Sequence, residues 1–232
     1  MKILGIIPAR GGSKGVPKKN IKLLNGEPLI SYSIRTGQES NLLTDLIVTT
    51  DSEEIIEVVK KYNCNFFKRT KKNAQDNTPI EPVLFELLES IKKDYDLIVL
   101  LQPTAPIREG QDIDNVINMF IENKKLESVV SVVELEDIHP ARMYSVDDEN
   151  KMESLDSHKE RYRRQDLEPV YLRNGSIYAS KVAALYENKK LISSNKKAYI
   201  MPEYKWANID TERDFLITEI LLKDWQKKRN NN

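Results

Sequence analysis

The residues best suited to chemistry follow the first apolar run of the chain, in the stretch from Ile7 to Asn20, which reads IPARGGSKGVPKKN. It holds three glycines, one arginine, three lysines and a serine, directly after a strand-like segment. Glycines let backbone N–H groups approach an anion closely, and lysine and arginine supply positive charge. The stretch therefore predicts a phosphate-binding loop, and a solvated turn with scattered lysines is the alternative.

This loop fits neither of two widespread phosphate-binding patterns. The Walker pattern requires G-x-x-x-x-G-K-S/T, and no Gly-Lys pair stands at that spacing. The dinucleotide fingerprint requires G-x-G-x-x-G, which GGSKG at residues 11–15 does not supply. We therefore expect a phosphate loop of another kind.

The elements that must position the loop alternate between apolar strands and amphipathic helices. Apolar runs predict strands at residues 2–8, 46–50, 65–68, 96–102, 128–135, 171–172, 176–179 and 198–201. Helical spacing of apolar residues predicts helices at 28–39, 51–62, 80–93, 111–123 and 211–228. This alternation predicts an α/β fold with a mostly parallel sheet covered on both faces. Ligands of such sheets lie beyond the carboxyl ends of the strands, here near Arg10, Asp51 and Gln102.

The apolar pattern fails between residues 136 and 170, where the chain is polar and rich in both charges. That length exceeds an ordinary loop within a compact domain. We therefore expect one domain over residues 1–232, with an irregular excursion at about 136–170 that is either mobile or packed on a partner.

The composition argues against several classes of protein. Lys+Arg and Asp+Glu both number 36, so no net charge favours nucleic acid or a membrane surface. No run reaches the roughly 18 apolar residues of a membrane span, and the N-terminus predicts a strand rather than a signal peptide. A single cysteine, Cys64, excludes an internal disulfide, and two histidines are too few for a His-rich metal centre. We expect a cytoplasmic protein.

The glycine–lysine loop resembles the signature of the acylneuraminate cytidylyltransferases, which make CMP-sialic acid and related CMP-nonulosonates. Residues 7–20 match every fixed position of the pattern I/L-x-A-R-x-x-S-K-G-x-x-x-K-N. Further segments are similar to later motifs of that family, in its order: VTTD at 48–51, LLQPTAPIR at 100–108, RQ at 164–165, RNGSIY at 173–178 and IDTE at 209–212. The family's R-x-N-G differs here, because the arginine directly precedes the asparagine.

The resemblance implies a Rossmann-like nucleotidyltransferase domain, usually paired as a homodimer, in which segment 136–170 reaches over the partner's active site. It implies that CTP donates a cytidylyl group to the anomeric 2-hydroxyl of an acidic nine-carbon sugar. Pyrophosphate leaves, and Mg²⁺ assists.

The family's functional residues carry over to particular positions of this sequence. Arg10, Lys19 and Asp210 are the catalytic candidates. The nucleotide-binding candidates are Ala9, Arg10, Gly11, Ser13, Lys14, Lys19, Asn20, Arg69 and Thr78. The sugar-binding candidates are Gln102, Thr104, Arg142, Arg164, Gln165, Asn174 and Tyr178. Five of them have a simpler alternative: an ordinary surface charge for Arg69, a rigid turn for Gln102 and Thr104, a solvated charge run for Arg164, and a helix cap for Asp210.

The metal site is where the sequence departs from the family. Two aspartates, spaced D-x-D, are common there, and this chain has Asn208 and Asp210 instead. Alternate positions of an extended segment point to one side, so both can share a site. An amide oxygen can bind Mg²⁺ but adds no charge, so we expect the metal to be bound more weakly, or mainly by the triphosphate and Asp210. The general base stays open between Asp210 and a metal-bound water.

Other functions remain open at this point. The same chemistry on legionaminate, pseudaminate or an octulosonate is one alternative. A nucleotide-sugar-binding homologue without activity is another, and Asn208 is the sequence feature that favours it.

Overall fold

A computed structural model describes residues 1–135 and 138–230. In chain order the strands are β1 (Ile3–Pro8), β2 (Leu23–Leu24), β3 (Glu27–Pro28), β4 (Asp45–Thr50), β5 (Asn65–Lys68), β6 (Leu97–Leu101), β7 (Ser128–Leu135), β8 (Tyr144–Val146), β9 (Met152–Ser154), β10 (Val170–Lys181) and β11 (Lys196–Met201). The helices are α1 (Leu29–Glu39), α2 (Glu53–Lys61), α3 (Ile80–Ser90), α4 (Gly110–Glu122), α5 (Val182–Asn188) and α6 (Glu212–Asn230).

Seven strands form the central sheet in the order β11-β7-β10-β6-β1-β4-β5. Parallel pairs join β1 to β4 and β6, β4 to β5, and β11 to β7. Only β10 runs against its neighbours β6 and β7 within this sheet of the described chain. The predicted mostly parallel α/β sheet is confirmed. The chain moves from β1 to β4 and β5 and then returns to β6 on the other side, so a ligand crevice is expected at the end of β1.

The alternation along β1 requires helices on both faces of the sheet. Ile3 and Ile7 enter the core beneath α1, α2 and α4, whereas Leu4 and Ile6 enter the core beneath α3 and α5. Successive side chains of a strand point to opposite faces, so a strand that is apolar throughout must be covered twice. A third cluster, which includes Phe215 of α6, packs the last helix behind the glycine–lysine loop.

Several short elements differ from the expected pattern. The strands expected at 171–172 and 176–179 form one long strand, β10, whose register shifts between Arg173 and Tyr178. The structure also contains α5 and the hairpins β2–β3 and β8–β9. The β8–β9 hairpin lies in the segment expected to be irregular, and its strands have only three residues each, too few for an alternating pattern to be recognised. Residues 136 and 137, which begin that segment, lie outside the described residues, as do 231 and 232.

Across residues 1–135 and 138–230, no helix combines the length and apolar character that a membrane crossing requires.

Candidate active site

A cavity of about 400 Å³ opens beyond the carboxyl ends of β1 and β6, where the strand order reverses. Its wall contains residues from four segments that are far apart in sequence. The expected site residues that line it are Arg10, Ser13, Lys19, Asn20, Arg69, Thr78, Gln102, Thr104, Asn208 and Asp210. The structure therefore brings most of the nucleotide-side candidates together with both metal candidates.

Hydrogen bonds to backbone groups of the glycine–lysine loop hold it at the end of β4. The N–H of Gly11 donates to the Asp51 carboxylate at 2.9 Å, and the amide of Asn20 donates to the Arg10 carbonyl at 2.9 Å. A Cβ on Gly11 would lie 2.8 Å from the Ser52 Cβ, so this close approach requires glycine. Ala9 is buried and continues the pairing with β4, so Ala9 and Gly11 shape the loop behind the cavity wall.

Two cations of the loop contact an aspartate that the sequence patterns did not single out. Arg10 lies 2.5 Å and Lys14 3.0 Å from the carboxylate of Asp76, in the segment before α3. The hydrogen bond from Lys14 and the charge of Arg10 lower the pKa of Asp76. Asp76 thus places a negative charge against two of the cations that were expected to bind phosphate.

Lys19 joins the loop to the segment that precedes α6. Its Nζ donates to the carbonyl of Ile209 at 2.7 Å and lies 3.5 Å from the Asp210 carboxylate, with 13% of the side chain exposed. The neighbouring Lys18 has a left-handed backbone, with φ of 50°, and pairs with Glu54 of α2 at 2.7 Å. Of these adjacent lysines, Lys19 alone lines the cavity.

Arg69 is a buried cation and not the surface charge that the alternative interpretation proposed. Only 7% of it is exposed, its Nη1 lies 3.5 Å from the carbonyl of Asn73, and its Nε has no hydrogen-bond partner. Burial lowers the pKa of the Arg69 guanidinium, and the charge of Asp51 opposes this shift. A cation with an unused donor at the cavity wall is suited to an acceptor on a ligand.

Asn208 and Asp210 do share one side of their segment. The Asn208 amide donates to the Asp210 carboxylate at 2.8 Å. A Cβ on Gly175, whose φ is 75°, would lie 3.2 Å from side-chain oxygens of both Asn208 and Gln102. Among the described residues, no three His, Cys, Asp or Glu side chains cluster as a metal site.

A second cavity of about 460 Å³ adjoins the first, and Ile80 and Gln102 line both. It also contains Tyr178, whose pKa is raised by burial, together with Arg173 and Lys190. Arg173 and Lys190 were not among the candidate site residues. Arg173 belongs to the RNGSIY motif, but Lys190 lies in a stretch without any pattern.

The remaining sugar-side candidates lie apart from both cavities. Arg142, Arg164 and Gln165 are exposed in the 138–170 segment, where Arg142 donates to the Tyr162 carbonyl at 3.3 Å. Asn174 is buried, and its amide oxygen accepts from the Ser131 hydroxyl at 2.6 Å and the Ser176 N–H at 3.1 Å. These bonds hold the irregular part of β10 in place.

Several known proteins are similar to this chain in sequence over most of its length. Pseudaminic acid cytidylyltransferase of Campylobacter jejuni subsp. jejuni serotype O:2 is 32% identical over 96% of this chain and 97% of that protein. CMP-N,N'-diacetyllegionaminic acid synthase of Legionella pneumophila is 31% identical over 96% and 97% of the two chains. N-acylneuraminate cytidylyltransferase of Escherichia coli O18:K1:H7 is 32% identical over 98% of this chain and 53% of that protein.

A solved structure and a family model also match this chain. The structure of CMP:2-keto-3-deoxy-manno-octonic acid synthetase complexed with CTP has a TM-score of 0.74 and 16% identity, covering 97% of this chain and 99% of that chain. At that identity the likeness concerns the fold. The family model described as cytidylyltransferase matches residues 4–229. On this match and the relatives above, the chain belongs to the cytidylyltransferase family.

Proposed function

We propose that this protein transfers the cytidylyl group of CTP to the anomeric 2-hydroxyl of a nonulosonic acid and releases pyrophosphate. The observation that carries the proposal is the pair of adjoining cavities that meet at Gln102. One is lined by the glycine–lysine loop, and the other has an arginine and a lysine for a sugar carboxylate. A donor and an acceptor bound in these cavities would meet at their junction, as a direct transfer requires.

On the nucleotide side, the transfer places negative charge on the departing pyrophosphate. Arg10, Ser13, Lys14 and Lys19 would bind the triphosphate and stabilise that charge, because fixed cations need no reorganisation during the reaction. The cytidine would lie near Asn20, Arg69 and Thr78. Arg69 supports this assignment with its buried charge and unpaired Nε.

On the sugar side, Gln102, Thr104 and Tyr178 would orient the acceptor, and Arg173 and Lys190 are added to the candidates. We propose a homodimer in which the 138–170 segment of one subunit covers the sugar cavity of the other. Exposed apolar side chains along this segment support the proposal: Val146, Met152, Leu155 and Tyr162. Such a dimer would bring Arg142, Arg164 and Gln165 to the partner's site.

The residues at the cavity wall fit a divalent cation that is shared with a nucleotide. Mg²⁺ is commonly bound by one or two protein oxygens together with substrate phosphates and water. Asp210 and the amide oxygen of Asn208 would hold it, and Mg²⁺, when bound, would neutralise triphosphate charge. The protein's part in this arrangement is to keep Asp210 beside Lys19, where both face the cavity.

Asn208→Asp should lower the Mg²⁺ concentration that gives half-maximal rate, because a second carboxylate adds charge to the site. Without metal, the two carboxylates would repel each other at the place of the present 2.8 Å hydrogen bond. We therefore also expect Mg²⁺ to raise the Tm of Asn208→Asp more than that of the parent protein. An unchanged or higher Mg²⁺ requirement would argue against Asn208 at the metal.

Asp76→Asn should strengthen CTP binding, because the triphosphate no longer competes with a carboxylate for Arg10 and Lys14. Exposed ion pairs are weak because water screens them, so we expect the Kd for CTP to fall by about two- to fivefold. Titration calorimetry measures this, with Glu54→Gln as control, since Glu54 pairs with Lys18 outside the cavity. Weaker CTP binding would instead assign Asp76 to nucleotide binding.

Pyrophosphate release tests the proposed function directly. The protein is incubated with Mg²⁺, CTP and, separately, N-acetylneuraminate, legionaminate, pseudaminate and an octulosonate, with ATP, GTP and UTP as nucleotide controls. Release with CTP and one nonulosonate supports the proposal and identifies the sugar. Relatives named for three different sugars have 31–32% identity to this chain, so identity alone does not select the acceptor. CTP binding without release from any sugar would favour a catalytically silent homologue.

A further inference from the structure

Arg108 is a fully buried cation that the proposed chemistry does not use. It lies near the end of the loop between β6 and α4, only 1% of it is exposed, and it is among the largest fully buried side chains. Arginine is rarely buried to this extent without a partner. Its position behind the junction of the two cavities calls for a physical explanation.

One guanidinium of Arg108 connects three parts of the fold. Its Nη1 donates to the carbonyls of Ala105 at 2.8 Å, Gln102 at 3.1 Å and Ser176 at 3.1 Å. Its Nη2 donates to the hydroxyl of Ser33 on α1. The loop after β6, strand β10 and helix α1 are therefore fixed relative to one another through a single side chain.

Within residues 1–135 and 138–230, no carboxylate forms an ion pair with this guanidinium. Burial lowers the pKa of the Arg108 guanidinium, and the charge of Asp112 opposes this shift. Burying a cation without a paired anion is unfavourable, and a neutral side chain of similar size would avoid that penalty. What the guanidinium adds is a rigid set of donors in a fixed plane.

The carbonyls that Arg108 holds belong to residues at the junction. Gln102 lines both cavities, and Ser176 directly follows Gly175. The Cβ position of Gly175 lies 3.2 Å from the side-chain oxygens of both Gln102 and Asn208. A shift of either carbonyl would therefore move the surface on which the acceptor must meet the nucleotide.

We propose that Arg108 is a positioning residue for the transfer, which fixes Gln102 and the irregular part of β10 so that the two cavities stay aligned. This inference rests on the proposed function. Arg108 lines neither the nucleotide cavity nor the sugar cavity, so it acts through the groups that it holds.

The test compares Arg108→Met and Arg108→Lys with Ile117→Ala, a buried core position of α4 outside both cavities. Each variant is assayed well below its Tm for kcat, for the KM of the acceptor sugar and for CTP affinity without turnover. In Arg108→Met we expect kcat/KM for the sugar to fall about 100-fold, with the Kd for CTP within about threefold of the parent value. Arg108→Lys should recover about tenfold of this loss, since one ammonium can bind the carbonyls held by Nη1 but not also the Ser33 hydroxyl held by Nη2.

The control separates positioning from stability. Ile117→Ala should lower the Tm and leave the kinetic constants of the folded enzyme unchanged. Parent-like kinetics in Arg108→Met would overturn the role, as would an equal loss of CTP affinity and sugar turnover. If Arg108→Met does not fold, Arg108→Lys decides by the same sugar-specific loss. No release by the unaltered protein with any sugar would overturn the proposed function itself, and this role with it.

Discussion

Lys19→Ala should reduce kcat/KM by about 10³-fold while the protein remains folded. The Lys19 ammonium is mostly buried, lines the cavity and lies between the Ile209 carbonyl and the Asp210 carboxylate. It is therefore placed to neutralise the leaving pyrophosphate beside the proposed metal position. Its hydrogen bond to Ile209 contributes about 1 kcal/mol to stability, which a small domain tolerates. Pyrophosphate release, measured over a range of CTP concentrations, gives kcat/KM, and circular dichroism reports the fold.

Lys18→Ala is the matched control for this prediction. The two lysines are adjacent and carry the same charge, but Lys18 pairs with Glu54 in solvent. Loss of an exposed pair changes little, so kcat/KM should stay within about twofold of the parent value. Equal losses in Lys18→Ala and Lys19→Ala would indicate that the loop acts through its overall charge, and would contradict the specific role of Lys19.

Most strands and helices of the central sheet could be predicted, because each follows from a local pattern of apolar residues. Strand β6 is buried at every position, and β7 begins and ends where its apolar run does. The antiparallel direction of β10 could not be predicted in this way, because a buried strand looks the same in either direction. Helix α5 has seven residues and each strand of the β8–β9 hairpin has three, which is too few for a clear periodic signal.

The candidate site residues also fall into two groups: those with a local sequence signal and those that only the packing of distant segments brings to the site. Arg10 and Lys19 were predicted from the loop that follows β1 and its match to a family signature. The contact of Asp76 with this loop depends on the folded position of the segment before α3. Lys190 reaches the second cavity only through the packing of the segment that follows α5. The burial of Arg108 could not be predicted from composition, since an arginine is usually exposed.

A second large effect is expected where the loop crosses the segment that carries Asp210. Gly15→Ala should lower both stability and turnover, because the new Cβ would lie 1.9 Å from the backbone carbonyl oxygen of Asp210. A backbone atom cannot rotate away as a side chain can, so the two segments must separate. Overpacking of this kind destabilises by about 1–3 kcal/mol. Separation would also stretch the bond from Lys19 to Ile209.

Gly12→Ala provides the comparison, because its added Cβ would meet no protein atom within 4 Å. Its Tm should match the parent value, whereas Gly15→Ala should show a lower Tm and a fall of about 100-fold in kcat/KM. Part of that loss should appear as a higher Mg²⁺ requirement, since Asp210 is the residue displaced. Full activity in Gly15→Ala would contradict the proposed role of the loop in holding Asp210 against the nucleotide. A lower Tm with unchanged kcat/KM and Mg²⁺ requirement would show that Gly15 matters for packing alone. Lys19 would then be the residue that aligns the loop with Asp210.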